Sequence, residues 1–455
     1  MFLLTGCAVG PNYKRPPVAS PPGYRGENVT GTNSFGDLPW WEVFHDDNLQ
    51  ALIRTALTNN YDVRIAATRV EQARQMVVEA RSQLFPQLNY FGEGGKGKNV
   101  GGANAALVPN TGTVGIIEFG GSASWEIDLW GRVRRLTESA KAQFFASEEA
   151  RRDVTISLIA QVAQTYFQLL TLDRQLRIAR EETNSYGQSL KIFEQRLRGG
   201  VASRLETSAA EALMASSAAT IPDLERQIEQ TENQLGVLLG QSPAPIVREG
   251  SVLEMQLVPE VPGGLPSALL ERRPDIREAE QSLRSANAQV GVAEANFFPQ
   301  LSLTGVIGQV SPELATLTAG SAFAWSAAAS LTGPIFHGGQ LRAQYRLAKA
   351  VRDQYVLQYQ STVLYALQEV SNALVAREKL AIARAEQERA VAAYQVAFKI
   401  AMERYRQGQS SYYEVLQQQQ LLYPAENTLA QAQLGQLTAI VQLYRALGGG
   451  WQMGK

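Results

Sequence analysis

Two hydrophobic periodicities divide the chain. Ile117, Phe119, Ala123, Trp125, Ile127 and Leu129 stand on alternate positions, with Glu118, Ser122, Ser124, Glu126 and Asp128 between them. A period of two predicts a strand with one apolar and one polar face. The segment 321–332 has the same pattern, with Phe323, Trp325, Ala327, Ala329 and Leu331 set against Ala324, Ser326, Ala328, Ser330 and Thr332. Residues 87–98 and 300–310 are the predicted hairpin partners, the first joined by a loop around Gly101 to Thr113.

Elsewhere the pattern is helical. Arg132 to Arg198 and Gln340 to Arg406 are each 67 residues without proline, rich in Ala, Gln, Glu, Arg and Leu. As single helices they would each reach about 100 Å at 1.5 Å per residue, a coiled-coil-like length. Gly199-Gly200 and Gly408 are their stop signals. Return helices are predicted over Ser203–Leu239, kinked at Pro222, and over Ser410–Leu447, interrupted near Pro424. Two shorter helical stretches, from about Asn48 to Leu84 and over 266–297, end at Phe85-Pro86 and Phe298-Pro299, because proline disfavours helix in the residue before it.

The chain is internally duplicated. Phe85-Pro86-Gln87-Leu88 returns as Phe298-Pro299-Gln300-Leu301, and Asp62, Arg64 and Ala66 return as Asp275, Arg277 and Ala279. Lys191, Arg196, Gly200, Ser203 and Glu206 return as Lys399, Arg404, Gly408, Ser411 and Glu414, at an offset shorter by five. A period above two hundred residues is too long for a stacked solenoid unit of about 20–50. The predicted organisation is an N-terminal tether over 1–47, a first repeat over 48–240, a Pro-rich linker over 241–265, a second repeat over 266–448 and a tail over 449–455. The five-residue difference falls in the hairpin region, which predicts a longer first loop.

Composition narrows the function. The net charge of −1 removes a bulk electrostatic case for nucleic acid. Two histidines and one cysteine leave almost no material for a metal site or a disulfide framework. A mean hydropathy of −0.17 is too polar for a bundle of membrane helices. Residues 314–336 carry no formal charge and are 23 long, enough to pass a length test for a membrane helix, but Gly320, Ser321, Ser326, Ser330 and Gly333-Pro334 suit a strand better. Gly92, Gly94 and Gly97 fit a dinucleotide fingerprint, but more glycine follows instead of a helix. His45 and His337 lie far apart with no ligand spacing. Asp46-Asp47 and Glu148-Glu149 read as solvated charges, so no catalytic constellation stands out and an enzyme is not expected. Leu4-Thr5-Gly6-Cys7 resembles a bacterial lipobox, which predicts a covalent lipid on Cys7 followed by a Pro-rich tether. Only six residues precede Cys7, fewer than an apolar leader of roughly 7–15, so the start is expected to be truncated.

Four amphipathic strands cannot close a spanning barrel, and an open sheet would leave unpaired edges in lipid. Oligomerisation is therefore expected. Two copies would bring eight strands, which side chains nearly fill, whereas three would bring twelve and leave room for a pore.

Several motifs point the same way: Trp40-Trp41-x-x-Phe44, the paired Phe-Pro-Gln-Leu, Asp128-Leu129-Trp130-Gly131-Arg132, Arg272-Arg273-Pro274-Asp275-Ile276-Arg277, Pro334-Ile335-Phe336 and Tyr444-Arg445-Ala446-Leu447-Gly448. Together, and over essentially the whole chain, they resemble the outer-membrane factor family of tripartite efflux pumps, in its lipoprotein branch. The resemblance implies a mixed α and β membrane protein. It implies a homotrimer whose 12-stranded outer-membrane barrel continues into a 12-helix periplasmic α-barrel. Implied partners are a periplasmic adaptor, an inner-membrane RND transporter and outer-membrane lipid, and the implied activity is passive exit of drugs or other small molecules. A duct for type I protein secretion would use the same fold. The motif set and the lipobox favour efflux over that, and the strands argue against a lipid-anchored rod. By position, the family's periplasmic gate falls on Tyr413, Glu414 and Gln417. Gln417 departs from the acid that family members commonly carry there, leaving Glu414 as the ring's acid. The implied adaptor-contacting tips are Arg196, Gly200, Val201 and Ser203, and Arg404, Gly408, Gln409 and Ser411. Arg204 and Leu205 in the first repeat correspond to Tyr412 and Tyr413 in the second, an asymmetry that places the gate on the second copy.

Overall fold

The structure is a computed structural model that describes residues 8–18, 21, 23–25, 36, 38–98, 113–248 and 268–449. In chain order its elements are α1 (Trp40–Val43), α2 (Asp47–Asn59), α3 (Tyr61–Ser82), β1 (Gln87–Lys98), β2 (Thr113–Ile127), α4 (Arg132–Arg198), α5 (Arg204–Leu238), α6 (Leu269–Arg272), α7 (Pro274–Ala295), β3 (Gln300–Ser311), β4 (Phe323–Thr332), α8 (Gln340–Arg406) and α9 (Tyr412–Ala446). One-turn 3-10 helices at Leu314–Thr316 and Gly320–Ala322 join β3 to β4. Cys7, the loop over 99–112, the linker beyond Arg248 and the tail beyond Gly449 lie outside the described residues. The chain forms two compact units.

The first unit holds the sheet. Its four strands are antiparallel in the order β1-β2-β3-β4, so β2 and β3 are central. Register sorts the two faces. Leu301 stands opposite both Ile127 and Leu331, and Leu303 opposite both Trp125 and Ala329. Ile307 pairs Trp325, and Leu88 pairs Ala123, on the same face. The other face carries Glu93 opposite Glu118, Asn89 opposite Ser122, and Ser302 opposite both Glu126 and Ser330. The apolar face is uncovered in one chain: Tyr90 is 88% exposed and Trp325 70%. Within the sheet, Gly120 faces Gly308 where the two central backbones approach closely. Phe91, paired with Gly120, lies over the gap this leaves.

The sheet corrects three expectations. Pairing on β2 ends at Ile127, so Leu129 lies in the bend before α4. β4 begins at Phe323, because the preceding residues form a 3-10 turn. The first hairpin differs in more than its loop: β2 has 15 residues and β4 has 10. β2 is lengthened because it pairs β1 over Thr113–Ser124 and β3 over Ile117–Ile127, so each end is held by a different neighbour.

The segment 8–17 is stitched to the helices of the same unit. The Val9 amide donates to the Trp130 carbonyl at 3.0 Å. Arg135, buried, donates to the carbonyls of Val9 and Gly10 and to Asn12 Oδ1. Asn287 donates to the Pro11 carbonyl, and Arg15 pairs Glu280 at 2.6 Å. Each guanidinium nitrogen of the buried Arg135 thus meets an acceptor, which is what burial of such a group requires.

The second unit holds the helix breaks that the sequence pattern hid. The predicted stretch 48–84 is two helices, parted at Asn60. This residue is 3% exposed; its Oδ1 accepts from the amides of Asp62 and Val63 and caps α3, while Nδ2 donates to the Leu238 carbonyl at 2.9 Å. The stretch 266–297 is likewise parted at Arg273, which precedes Pro274 at the first position of α7. Arg273 Nη1 donates to the Ala446 carbonyl at 3.0 Å and pairs Glu369 at 2.8 Å; Nη2 pairs Asp275 at 2.6 Å. Both repeats therefore tie the break to the last turn of the return helix, one with an amide and the other with an ionic group.

The expected interruption of α9 is also corrected: α9 continues through Pro424 without a break, and α5 likewise stays helical through Pro222. Both rings are exposed, so the carbonyl each one frees can face water, while Leu422, Tyr423 and Ala425 stay buried and hold α9 in line. Glu149 is not a solvated charge. It is 5% exposed, about a quarter of the way along α4, and pairs Arg152 at 2.6 Å and Arg277 at 2.8 Å. Arg248 returns to this unit between Asp173 and Glu232, which overcome the opposing effect of burial and raise its pKa.

Candidate functional site

The candidate site is built on the two helix turns and the start of α9. Both turns close in the same way. Gly200 has φ 73° and donates to the Leu197 carbonyl, and Val201 donates to the Arg196 carbonyl at 2.9 Å. Gly408 has φ 73° and donates to the Tyr405 carbonyl, and Gln409 donates to the Arg404 carbonyl at 2.9 Å. This paired-bond ending needs a left-handed residue, the conformation glycine adopts without strain. It leaves Val201 67% exposed, with Gln409 also exposed, at the outermost positions of the turns.

The helices that leave the turns differ. Ser203 caps α5 in a reciprocal box: its Oγ accepts from the Glu206 amide at 3.4 Å, and Glu206 Oε2 accepts from the Ser203 amide at 2.7 Å. Ser411 makes no side-chain cap. Glu414, the counterpart of Glu206, pairs Arg404 across the turn at 3.5 Å instead. Both partners are about half exposed, so the pair contributes little to stability. Arg196, counterpart of Arg404, is half-buried in the last turn of α4, where the helix dipole favours a cation.

α9 then divides into two faces. Tyr413 is 70% exposed, Gln417 and Gln420 are exposed, and Glu414 is half-buried beside them. Positions three and four apart share a helix face, so Tyr413, Gln417 and Gln420 form one polar stripe. The opposite face carries Tyr412, Val415, Leu416 and Gln419, all buried.

Pattern reading passed over this buried face, and it holds the site in place. Tyr412 packs edge-on against Phe193 at 5.2 Å and Tyr405 at 4.8 Å, in a cluster with Ala210, Ala401 and Val415. Its hydroxyl shares a 2.7 Å hydrogen bond with Ser189, and Gln419 donates to Ser185. Burial raises the Tyr412 pKa, with the Ser189 bond opposing. One residue thus joins the start of α9 to α4, α5 and α8. The spacing Tyr412-x-x-Val415-Leu416-x-x-Gln419 was the available signal. Tyr412→Phe is expected to cost about 1 kcal/mol, the net worth of one hydrogen bond. Amide exchange over the first turns of α9 should quicken about fivefold, while exchange in α5 stays unchanged.

Among the described residues no group of His, Cys, Asp or Glu could hold a metal ion. No described helix is long and apolar enough to cross a membrane, a statement that does not bear on the sheet.

The chain thus combines an amphipathic four-stranded sheet with two 67-residue helices. A family model described as "Outer membrane efflux protein" matches residues 52–241 and 265–449, and the chain belongs to that family. It is 36% identical over 460 residues to the toluene efflux pump outer membrane protein TtgC of Pseudomonas putida, covering 99% of this chain and 94% of TtgC. It is 33% identical over 456 residues to the cation efflux system protein CusC of Escherichia coli K12, covering 99% and 97%. Among solved structures, the outer-membrane channel OprN matches with a TM-score of 0.89 at 32% identity, covering 98% of this chain and 100% of OprN. The open-state outer membrane channel MtrE of Neisseria gonorrhoeae matches with a TM-score of 0.89 at 33% identity, covering 98% and 99%. The protein is an efflux channel of the outer membrane.

Proposed function

We propose that three copies of this chain close a 12-stranded barrel and a 12-helix tunnel, and that the trimer is the passive outer-membrane exit of a tripartite RND-type pump. The observation that carries the reading is the open sheet. β1 and β4 each have one neighbour among the described strands, while the apolar face between them is bare. Lipid suits the apolar face but does not tolerate the open edges, and closure with further copies removes both edges. Eight strands would leave a lumen filled by side chains, so three copies suit a conduit.

In this reading the exposed stripe of Tyr413, Glu414 and Gln417 repeats three times around the tunnel end and forms its periplasmic constriction. The turns at Arg196, Gly200, Val201 and Ser203 and at Arg404, Gly408, Gln409 and Ser411 meet the adaptor. The exposed Val201 and the symmetric turn geometry support a docking role. A lipid on Cys7 anchors the chain beside its barrel. Cargo is a small molecule chosen by the inner-membrane transporter. Relatives named for toluene, solvent, antibiotic and cation efflux align at similar identity, which suits a shared duct without a selective pocket.

Reconstituted protein tests the assignment. Native mass spectrometry should give a trimer, and planar-bilayer recordings should give a cation-preferring pore. Glu414→Gln removes three acids from the ring and leaves Arg404 unopposed, so cation preference should fall. Arg404→Gln should raise it. Unchanged selectivity in both would remove the ring from the conduction path, and a species without conductance would overturn the duct.

A further inference from the structure

Trp125 and Trp130 mark the foot of the sheet. The Trp125 indole, on the apolar face, donates to the Leu84 carbonyl at 3.0 Å. The Trp130 indole donates to the Pro299 carbonyl at 2.8 Å while its ring stacks on Phe298 at 4.6 Å. Aromatic rings gather where hydrocarbon gives way to headgroups, so this level is the membrane boundary of the sheet.

A cavity of about 600 Å³ opens at Leu84. Leu84, Ala142 and Phe145 form its apolar wall, and Arg81, Arg134, Lys141 and Arg284 contribute cations, with Glu138 as the acid. Most of this charge is already matched. Arg134 pairs Asp128 at 3.2 Å, Arg284 pairs Glu280 at 2.8 Å, and Glu138 pairs Arg135 at 2.8 Å. Arg81 and Lys141 remain. Both are exposed, and neither side chain has a hydrogen bond or ion pair among the described residues. Arg284 adds a second unmet demand: its Nε is buried without an acceptor.

The depth is also suitable. Arg81 precedes β1 by six residues, and Lys141 lies nine residues into α4, about 14 Å along the helix axis. A headgroup layer is about 5–8 Å deep on each side, and a lysine stem can carry its ammonium back toward it. Two uncompensated cations beside an apolar wall, just below the aromatic boundary, match a phosphate that carries acyl chains.

We propose that this cavity is a lipid site: Arg81 and Lys141 hold the phosphate of an anionic glycerophospholipid, and Leu84, nearer the sheet, receives its glycerol-acyl junction. The test is native mass spectrometry of the full chain, stripped of lipid in detergent and offered equal amounts of phosphatidylglycerol and phosphatidylcholine. The wild type should retain phosphatidylglycerol about tenfold over phosphatidylcholine, a difference within reach of two charge-assisted contacts. Arg81→Gln with Lys141→Gln should lose that preference, and Arg81→Lys with Lys141→Arg should keep it. An unchanged preference in the glutamine pair, its absence in the wild type, or its loss in the charge-keeping pair overturns the site. Complete displacement by inorganic phosphate assigns the cavity to a soluble anion and overturns the lipid. Lipid retention is read without conductance, so a failure here is distinct from a failure of the duct.

Discussion

Gly120→Val should nearly abolish the folded channel in the outer membrane. A Cβ at Gly120 would fall well under 3.0 Å from the Ile307 carbonyl oxygen, and one at Gly308 would stand 2.5 Å from the Phe119 carbonyl oxygen. Neither obstacle is the end of a flexible side chain. The two central backbones would have to part, which breaks the β2–β3 ladder, and Phe91 would lose its seat over Gly120. Overpacking in an adaptable core costs about 1–3 kcal/mol, and a rigid backbone clash should exceed that range. Gly121→Val is the control. Its Cβ would meet only the Asn89 carbonyl oxygen, at 3.7 Å, an ordinary contact. Outer-membrane fractions should hold near-normal Gly121→Val protein and little Gly120→Val protein. Equal yields would show that the approach of the strands is not fixed.

Arg273→Ala should be the most costly change among the helices. Arg273 is 8% exposed and serves Asp275, Glu369 and the Ala446 carbonyl together. Burial works against its charge, but Asp275 and Glu369 outweigh burial and raise its pKa. Removing the side chain loses charge-assisted hydrogen bonds to two partly exposed carboxylates and to a carbonyl, at a cost of about 2–3 kcal/mol. Lysine keeps the charge but lacks the planar fork that reaches three acceptors, so Arg273→Lys should recover only part of the loss. Asn60→Ala, at the matching break, removes a cap and one carbonyl bond for about 1–2 kcal/mol. Amide exchange at the last turn of α9 should therefore accelerate more in Arg273→Ala than exchange at the last turn of α5 does in Asn60→Ala. Equal acceleration would mean that the ionic pairs add nothing to the carbonyl bond.

The elements that could be read from sequence were those set by long, uninterrupted patterns. The 67-residue helices stand out because nothing within them stops a helix and a glycine turn follows each. The strand faces stand out because a period of two is unambiguous over ten residues. The breaks at Asn60 and Arg273 were hidden by apolar periodicity on both sides, although Pro274 and the run Asn59-Asn60 were both signals. The proline in α9 misled in the opposite direction. Proline breaks a helix when its freed carbonyl is buried, and exposure of Pro222 and Pro424 is a tertiary fact. At the candidate site, the glycine turns and the Arg204-to-Tyr412 difference were legible. That Tyr412 points into the packing while Tyr413 points out depends on Phe193 and Ser189, more than two hundred residues away in sequence. Glu149 misled because a pair of adjacent acids reads as surface, and its partner Arg277 comes from the other repeat.

The pairing of β2 with β3 also dictates an order of events. Each helix turn joins residues a few positions apart, so the long hairpins can form as soon as they emerge, at little cost in loop closure. Ile117, by contrast, must find Ser311, about two hundred residues later. Non-local pairing of this kind is slow. Until the second hairpin arrives, the first waits with Tyr90, Phe119 and Trp125 on an unpaired ribbon, a state prone to aggregation. Aggregation of the first hairpin should therefore scale with the time taken to deliver the second half of the chain.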